Sequence, residues 1–414
     1  MEHKKQIIII GGGAAGFFAA INCAEANPAA AVIILERGKS VLGKVKISGG
    51  GRCNLTHACF EPKPLTKFYP RGEKTLLGPF RQFQCKDTVD WFENRGVKTK
   101  TESDGRMFPI TDSSQTVMDC LTNAAKQAGV TVLTGTRVSD FSLTTSPPQK
   151  WLIQTPGKSY HADELMLATG SNPKIWQLLG KLGHTIIPPV PSLFTFNIKD
   201  PRIHDLAGLS VPDALVKVQA TKLKANGPLL ITHWGMSGPG ILKLSAWGAR
   251  ILNEKAYRFG LQINWLGTMN YNEVAEQLQK LKAENGPRLV VKYPQFILPR
   301  RLWQRLTVAA GIEADRKWAD LSKKQSNKLV HELTQGEYQV NGKSTFKDEF
   351  VTAGGVELKE VDFKNFKSKI LPNLYFAGEV LNIDAVTGGF NFQAAWTGGW
   401  LCGHAMARTE EEVV

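Results

Sequence analysis

The sequence predicts an α/β fold in which a parallel-sheet domain is split by a β-rich insert. Three observations predict it. A short apolar strand runs into a Gly-rich turn, a helix and a second apolar strand within residues 6–38. From residue 191 the pattern changes to alternating strands and then to a helical period. From residue 350 the chain turns apolar and Gly-rich again and ends in a helix.

The opening stretch carries the strongest signal. Ile7, Ile8, Ile9 and Ile10 form a wholly apolar run, as in a buried parallel strand. Gly11, Gly13 and Gly16 then fit G-x-G-x-x-G at the strand-to-helix turn. The first glycine permits a tight turn, the second lets backbone approach a pyrophosphate, and the third allows close helix packing. The start of the Ala-rich helix offers free N–H groups and partial positive charge to phosphates. The second strand, 31–36, ends at Glu36, placed to accept hydrogen bonds from a ribose diol. Strand, glycines, helix, strand and acid in this order predict dinucleotide binding.

The chain of 414 residues is long enough for two or three domains with ample core. No apolar run approaches the length of a membrane span. The basic start leads straight into the nucleotide motif, so no secretory signal is expected. Six cysteines without a C-x-x-C fit a reducing, cytoplasmic setting and disfavour a zinc knuckle. No H-x-x-x-H or carboxylate cluster points to a metal, and His233 is expected to be structural or to face substrate. The net charge is +14, and residues 191–345 hold 22 Lys and Arg against 12 Asp and Glu. The positive excess therefore lies in the middle of the chain. It is either a solvated surface or a patch for an anionic partner, RNA above all.

Along the chain, 37–54 is Gly- and Lys-rich and is expected to be a loop. The Pro- and charge-rich 55–74 is expected to be irregular. Helices are expected over 86–94 and 113–129, with Gly96 as a C-cap. Strands are expected over 130–134, 138–144, 151–155 and 160–168, and 165–170 is expected as a strand that re-enters the nucleotide sheet and stops at Gly170. Pro188, Pro189 and Pro191 mark the expected domain boundary. Strands follow within 192–199, 214–223, 227–234 and 256–265, then helices within 272–285, 297–311 and 322–334. A final strand is expected over 373–378 and a final helix over 390–407. The domains are thus expected at 1–190, 191–345, with a helical part at about 270–334, and 346–414. The acidic tail, 410–414, is expected to fray.

Two further Gly-rich motifs carry chemistry. In Ser48, Gly49, Gly50, Gly51, Arg52, Cys53 and Asn54, three glycines suit backbone lying against a planar ring or a phosphate. Arg52 and Lys44 can offset phosphate charge. At the other end, Gly378 and Glu379 follow an apolar strand, where open α/β sheets bind ligands. Thr387, Gly388 and Gly389 open the last helix, whose N–H groups can stabilise negative charge on a reduced ring.

Taken together, GGGAAG, Glu36, K-x-x-x-SGGGRCN, ITHWGMSGPGIL, FVTAGGV and GEVLNIDAVTGGFNFQ resemble the YhiN-like (BaiN-like) bacterial FAD-dependent oxidoreductase family. The resemblance spans essentially the whole chain. It implies a split two-dinucleotide-binding domain of the glutathione-reductase type, holding FAD in an extended pose. A β-barrel-like insert with a helical subdomain would cover the flavin. By position, Gly11, Gly13, Ala14, Ala15 and Gly16 would hold the pyrophosphate. Glu36 would hold the ribose with Arg37 beside the adenosine, and Val138 would meet the adenine. Thr169 and Gly170 would cross the ADP part. Lys44 and the segment from Ser48 to Asn54 would line the flavin. Gly378, Glu379, Gly389, Phe390, Asn391, Phe392 and Gln393 would complete the ribityl and ring site. One departure is Ser171, where many relatives have a second glycine before a Gly-rich run. It bears on any nicotinamide or substrate contact made by that loop.

The resemblance implies hydride passing from transiently bound NAD(P)H through the flavin to an acceptor. The acceptor classes are a uracil ring in ribosomal RNA, a steroid-like enone, or oxygen with an amine donor. The insert charge favours RNA; a flavin-binding module without catalysis is the alternative of another class. In the helical part Arg300, Arg301, Arg305, Arg316, Lys317, Lys323, Lys324 and Lys328 are candidate phosphate contacts. Arg301 and Arg305 share one helix face, and Trp303 is expected in the core. Disulfide reductases of this fold place C-x-x-x-x-C after the ribose acid. Cys53 and Cys59 have five residues between them, and no second G-x-G-x-x-G exists. A redox disulfide is therefore disfavoured. Cys53 is retained as a candidate catalytic acid, against a thiol packed under the ring.

Overall fold

A computed structural model describes residues 4–144, 150–344 and 351–409. The chain divides into two compact units, Met1–Val190 with Lys347–Val414, and Pro191–Phe346. The boundary expected at 345–346 and the tail expected to fray lie outside the described residues.

The first unit is built on a seven-stranded sheet. Its first strand, Gln6–Ile10, lies inside the sheet, parallel to Ala31–Leu35 on one side and Glu164–Leu167 on the other. Ile7 to Ile10 are all buried, because the sheet is covered on both faces. Leu374–Phe376 extends the sheet in parallel beyond Glu164–Leu167, and Thr131–Leu133 closes its other side. The strand expected over 160–168 is two strands. Ser159–Ala162 pairs in a separate three-stranded sheet, and Glu164–Leu167 enters the main one. Asp163 marks the break, where its carboxylate accepts the N–H of Gln6 at 2.7 Å.

Helices Ala14–Ala26 and Phe390–Ala407 pack closely on one another. Glycines make the approach. A Cβ on Gly399 would sit 2.8 Å from the Ala15 carbonyl, and one on Gly403 would sit 2.7 Å from that of Ala19. Both helices are therefore buried nearly all round, under a shell of Phe18, Phe92, Trp91 and Trp396. The final helix has the bounds its sequence predicts.

Two expectations are corrected. The stretch 37–54 contains a helix, Gly43–Gly51, broken by non-helical backbone at Ser48, Gly49 and Gly50. The prolines at 188, 189 and 191 do not end regular structure. They lie in a strand, Ile186–Ser192, paired only with Val351–Val356 in a two-stranded sheet. Proline is tolerated where its missing N–H faces no partner strand. Gly354 receives it, since a Cβ there would lie 2.6 Å from Pro189 Cα.

The second unit is a closed six-stranded barrel. Its strands run in the order Thr195–Ile198, Gly235–Ser237, Lys224–Thr232, Ser210–Val218, Arg258–Asn264 and Gly336–Ser344. Phe196, Val216, Ile231, Leu261, Ile263 and Val340 fill its core. Helices Tyr271–Glu284, Arg300–Ala309 and Lys323–Gln335 form the helical part, with Trp303 fully buried and donating to the Val290 carbonyl at 2.8 Å.

Candidate flavin site

The three Gly-rich motifs meet in the first unit. Gly11 takes φ +113°, and a Cβ there would lie 2.7 Å from the Ala168 carbonyl carbon. Only glycine fits that turn. Gly13 is the N-cap of the first helix, and no side chain caps it. A Cβ at Gly13 would meet nothing within 4 Å, so the helix start is not packed against the protein on that side. Glu36 is clamped by its own loop: one carboxylate oxygen accepts from Gly12 N–H at 2.8 Å, the other from Gly38 N–H at 2.6 Å. Each oxygen keeps a further lone pair for a hydroxyl donor.

Beside it lies a cleft lined by Gly11, Glu36, Arg37, Val138, Thr169 and Lys174. The Thr169 hydroxyl is buried there without a hydrogen-bond partner. A buried orphan hydroxyl is costly, and a ligand acceptor would relieve it. An uncapped helix start, a clamped carboxylate and an orphan hydroxyl together fit the pyrophosphate and adenosine of a dinucleotide. Arg137 and Asn172 also line the cleft and were not singled out in the sequence. Asn172 additionally caps the helix Pro173–Lys181 through its side chain.

The SGGGRCN segment is held open by backbone geometry. Gly49, Gly50 and Gly51 have φ of 58°, 70° and 84° in succession. A Cβ on Gly49 would press on the Phe108 ring at 2.9 Å, whereas Gly50 and Gly51 face nothing within 4 Å. Arg52 stacks 4.0 Å from the Phe108 centroid and donates to Glu102 at 2.6 Å. Lys44 is ion-paired with Glu379, which lies beside Gly170. The two cations expected to offset phosphate thus already face carboxylates. Ser48 donates to the Val45 carbonyl at 3.1 Å. Cys53 is fully buried in a left-handed conformation, and burial pushes its thiol up to about 12.

The last helix starts against this segment. Gly389 has φ +87°, and its N–H lies 2.9 Å from the Asn54 side-chain oxygen when that amide is oriented to satisfy both its atoms. Phe390 stacks on Phe68 at 4.1 Å and on His57 at 4.6 Å. Its carbonyl accepts from Tyr69 at 2.6 Å. Asn391 pins the preceding loop by exchanging two hydrogen bonds with Ala385. Phe392 stacks on Trp396. Gln393 is fully buried: its oxygen accepts from Thr56 at 2.6 Å and Thr88 at 2.9 Å, and its nitrogen donates to Thr397 at 3.1 Å. Its side chain is consumed in fixing the helix start, so it acts on a ligand only through what it positions. Gly378 has φ +76° and faces Ala15 of the first helix.

Three features escaped the sequence reading. Asp384, with no exposed surface, forms a two-pronged ion pair with Arg71. Thr56, Thr88 and Thr397 form the Gln393 network. His57 sits on Phe390 with Nε2 3.1 Å from the Asp104 carbonyl, and burial lowers its pKa. The acid in GEVLNID was a visible signal; Arg71 and the threonines gave none.

A family model for the HI0933-like protein Rossmann domain matches residues 5–405. The chain belongs to the HI0933-like family. It is an FAD-dependent oxidoreductase of that family. The chain is 27% identical to a ribosomal RNA dihydrouridine synthase of Escherichia coli K12, over 95% of this chain and 96% of the relative. It is also 27% identical to a 3-dehydro-bile acid delta(4,6)-reductase of Clostridium scindens, over 95% and 97% respectively. A solved 3-ketosteroid-delta4-(5alpha)-dehydrogenase from Rhodococcus jostii RHA1 shares the fold, at TM-score 0.53 and 14% identity, with 99% of this chain and 98% of that one covered. Among the described residues no helix is long and apolar enough to cross a membrane.

Proposed function

We propose that this HI0933-like enzyme binds FAD across the three Gly-rich motifs and reduces a uracil ring in ribosomal RNA to dihydrouridine, with NAD(P)H as the reductant. The observation that carries the RNA assignment is the cationic excess of residues 191–345. The names of the Escherichia coli relative and of its Haemophilus influenzae counterpart support it. Bound FAD supplies hydride transfer through its N5 atom.

The chain's own residues hold and shield. Glu36 is assigned the adenosine ribose, and the uncapped N–H groups after Gly13 the pyrophosphate, with the Thr169 hydroxyl as an added donor. Lys44 and Glu379 are assigned the ribityl hydroxyls, which a cation and a carboxylate can bond from two sides. Gly50 and Gly51 leave room for a flat ring. The start of the last helix, fixed by Asn54 and Gln393, aims partial positive charge where a reduced ring gathers negative charge. Cys53 is assigned to packing. It has no exposed surface, and a thiol held near 12 neither ionises at neutral pH nor delivers a proton readily.

The test is nucleoside mass spectrometry of ribosomal RNA from a deletion strain, with restoration by the plasmid-borne gene. Loss of one dihydrouridine, regained on complementation, is the expected result. The purified yellow protein should then reduce uridine in RNA from the deletion strain with NADH or NADPH. Unchanged dihydrouridine together with consumption of a steroid enone would move the assignment to the small-molecule class.

A further inference from the structure

Within the cationic second unit, the helical part carries a strip in which exposed cations and exposed apolar side chains adjoin in sequence. Residues 285–312 include Arg288, Lys292, Arg300, Arg301 and Arg305 and not one acid. All five cations are exposed. The same stretch carries the two most exposed large apolar side chains among the described residues, Ile297 at 85% and Val308 at 62%, with Tyr293 at 49%. Their closeness in sequence to five exposed cations marks the stretch as a surface for a partner.

The segment is nevertheless firmly anchored from within. Val290, Val291, Leu298, Leu302 and Leu306 are buried in the core. Val290 accepts from Trp303 at 2.8 Å and donates to the Arg316 carbonyl at 2.9 Å. Trp318 N–H bonds the Arg288 carbonyl at 3.0 Å. In this irregular strip Val290, Val291 and Leu298 are buried while Arg288, Lys292, Tyr293 and Ile297 are exposed, so the outward set is cationic, aromatic and aliphatic. Arg288 lies 5.5 Å from the Tyr293 ring, so cation and stacking face adjoin. On helix Arg300–Ala309, Arg301, Arg305 and Val308 share the exposed side.

We propose that this strip, residues 288–308, is the docking surface for an unpaired RNA segment of the substrate, with Tyr293 stacking on a base and Arg288, Lys292, Arg300 and Arg305 on phosphates. The inference rests on the RNA reading above and adds to it the place on the chain where the RNA is held. The chemistry is that of single-strand recognition: aromatic faces take bases, and flanking cations follow the backbone. An anionic membrane is the competing partner. It is the poorer match, because the exposed helix side offers two cations for one apolar residue rather than a broad apolar face.

The experiment uses the full-length, FAD-loaded protein and fluorescent transcripts tiling the ribosomal RNA, titrated at several salt concentrations. Dihydrouridine formation is measured on the same transcripts. The variants are Arg288→Glu/Lys292→Glu/Arg305→Glu and, separately, Tyr293→Ala. Should the triple variant lose its flavin spectrum, Arg288→Gln/Arg305→Gln replaces it. The triple variant is expected to bind at least tenfold more weakly, with a salt slope shallower by roughly 0.7–0.9 per cation removed. Tyr293→Ala is expected to lose about tenfold with the slope unchanged. If wild type binds and reduces a transcript and the variants match it, the uracil reading stands and this surface is wrong. If wild type neither binds nor reduces any transcript, the uracil reading itself fails and takes the surface with it. Binding of wild type, but not the triple variant, to phosphatidylserine vesicles without RNA binding would assign the strip to membranes and overturn the proposal.

Discussion

The first and last helices of the nucleotide unit both begin at an uncapped glycine, yet the two glycines serve opposite ends. At Gly13 the backbone is extended, and an added Cβ would meet nothing within 4 Å. At Gly389 the backbone is left-handed, and a Cβ would fall 2.6 Å from the Thr56 carbonyl. The first glycine leaves space outside the protein's own packing; the second lets the chain pack against itself. One motif type therefore divides into a ligand-facing site and a fold-facing site, and what packs around each glycine separates them.

The largest expected effect tests that division. Gly389→Ala must bear both the clash with Thr56 and a left-handed alanine, a strain of about 1–3 kcal/mol before any steric shift. It should melt far below wild type or fail to accumulate. Gly13→Ala should melt as wild type without cofactor and lose FAD on gel filtration. Paired melting curves with flavin absorbance check this. Equal destabilisation by the two changes would break the comparison.

Next in size is Gln393→Leu. It leaves the Thr56 hydroxyl without its acceptor, leaves Thr88 only its longer bond to the Gln84 carbonyl and removes the donor to Thr397, all in a buried site. The cost should be about 1–3 kcal/mol. Because the helix start shifts with it, the flavin absorption maxima should shift too. A stable Gln393→Leu variant with an unchanged spectrum would mean that the network does not set the helix start.

The nucleotide motifs were legible because each lies within one short stretch. The last helix is an example: Gly389 and the apolar run after it sit next to each other in sequence, and the helix spans Phe390–Ala407 as expected. The Gln393 network was not legible. It joins residues up to 337 apart, and a buried threonine has no local pattern. The same holds for Arg71 with Asp384. In the second unit, Gly336–Ser344 closes the barrel through pairing with Arg258–Asn264 and Thr195–Ile198. Its sequence, GEYQVNGKS, alternates only over Gly336, Tyr338 and Val340, which are buried, and this run is too short and too polar to stand out from the helix before it. The prolines at 188–191 fall at the division between the two units and yet lie in a strand. Their local signal is strong, and an edge position in a two-stranded sheet overrides it.

A smaller effect is expected at Glu36, which sharpens the ligand-facing side of the comparison. Glu36→Ala removes the acceptor for Gly12 and Gly38 N–H groups and the ribose contact. FAD affinity should fall by about 1.5–3 kcal/mol, read by flavin titration of the apoprotein. Released cofactor should be FAD and not FMN, since only FAD offers the adenosine ribose. Retention of full affinity would place the ribose elsewhere.

The smallest effect is expected at Cys53, beside the fold-facing glycine. Burial raises its thiol to about 12 and outweighs the opposing Ser48 hydrogen bond. The folded thiol thus keeps its proton where the unfolded one, near 8.5, would lose it. The sign follows from linkage. The thiol's contribution to stability is fully present below the unfolded value and is lost as pH rises toward the folded one. Between pH 6 and 8, therefore, neither activity nor stability should titrate with Cys53. Cys53→Ser should keep the flavin, the rate of reduction by NAD(P)H and the pH profile within about twofold. Its melting temperature should drop modestly, because burying a hydroxyl where the thiol sat has a cost that the Ser48 hydrogen bond offsets only in part. A lost limb in the pH profile of Cys53→Ser, or a long-wavelength charge-transfer band in wild type that the variant lacks, would show that the thiol touches the reacting ring. The crowded helix start would then be catalytic as well as structural, and the contrast with Gly13 would narrow to one of packing alone.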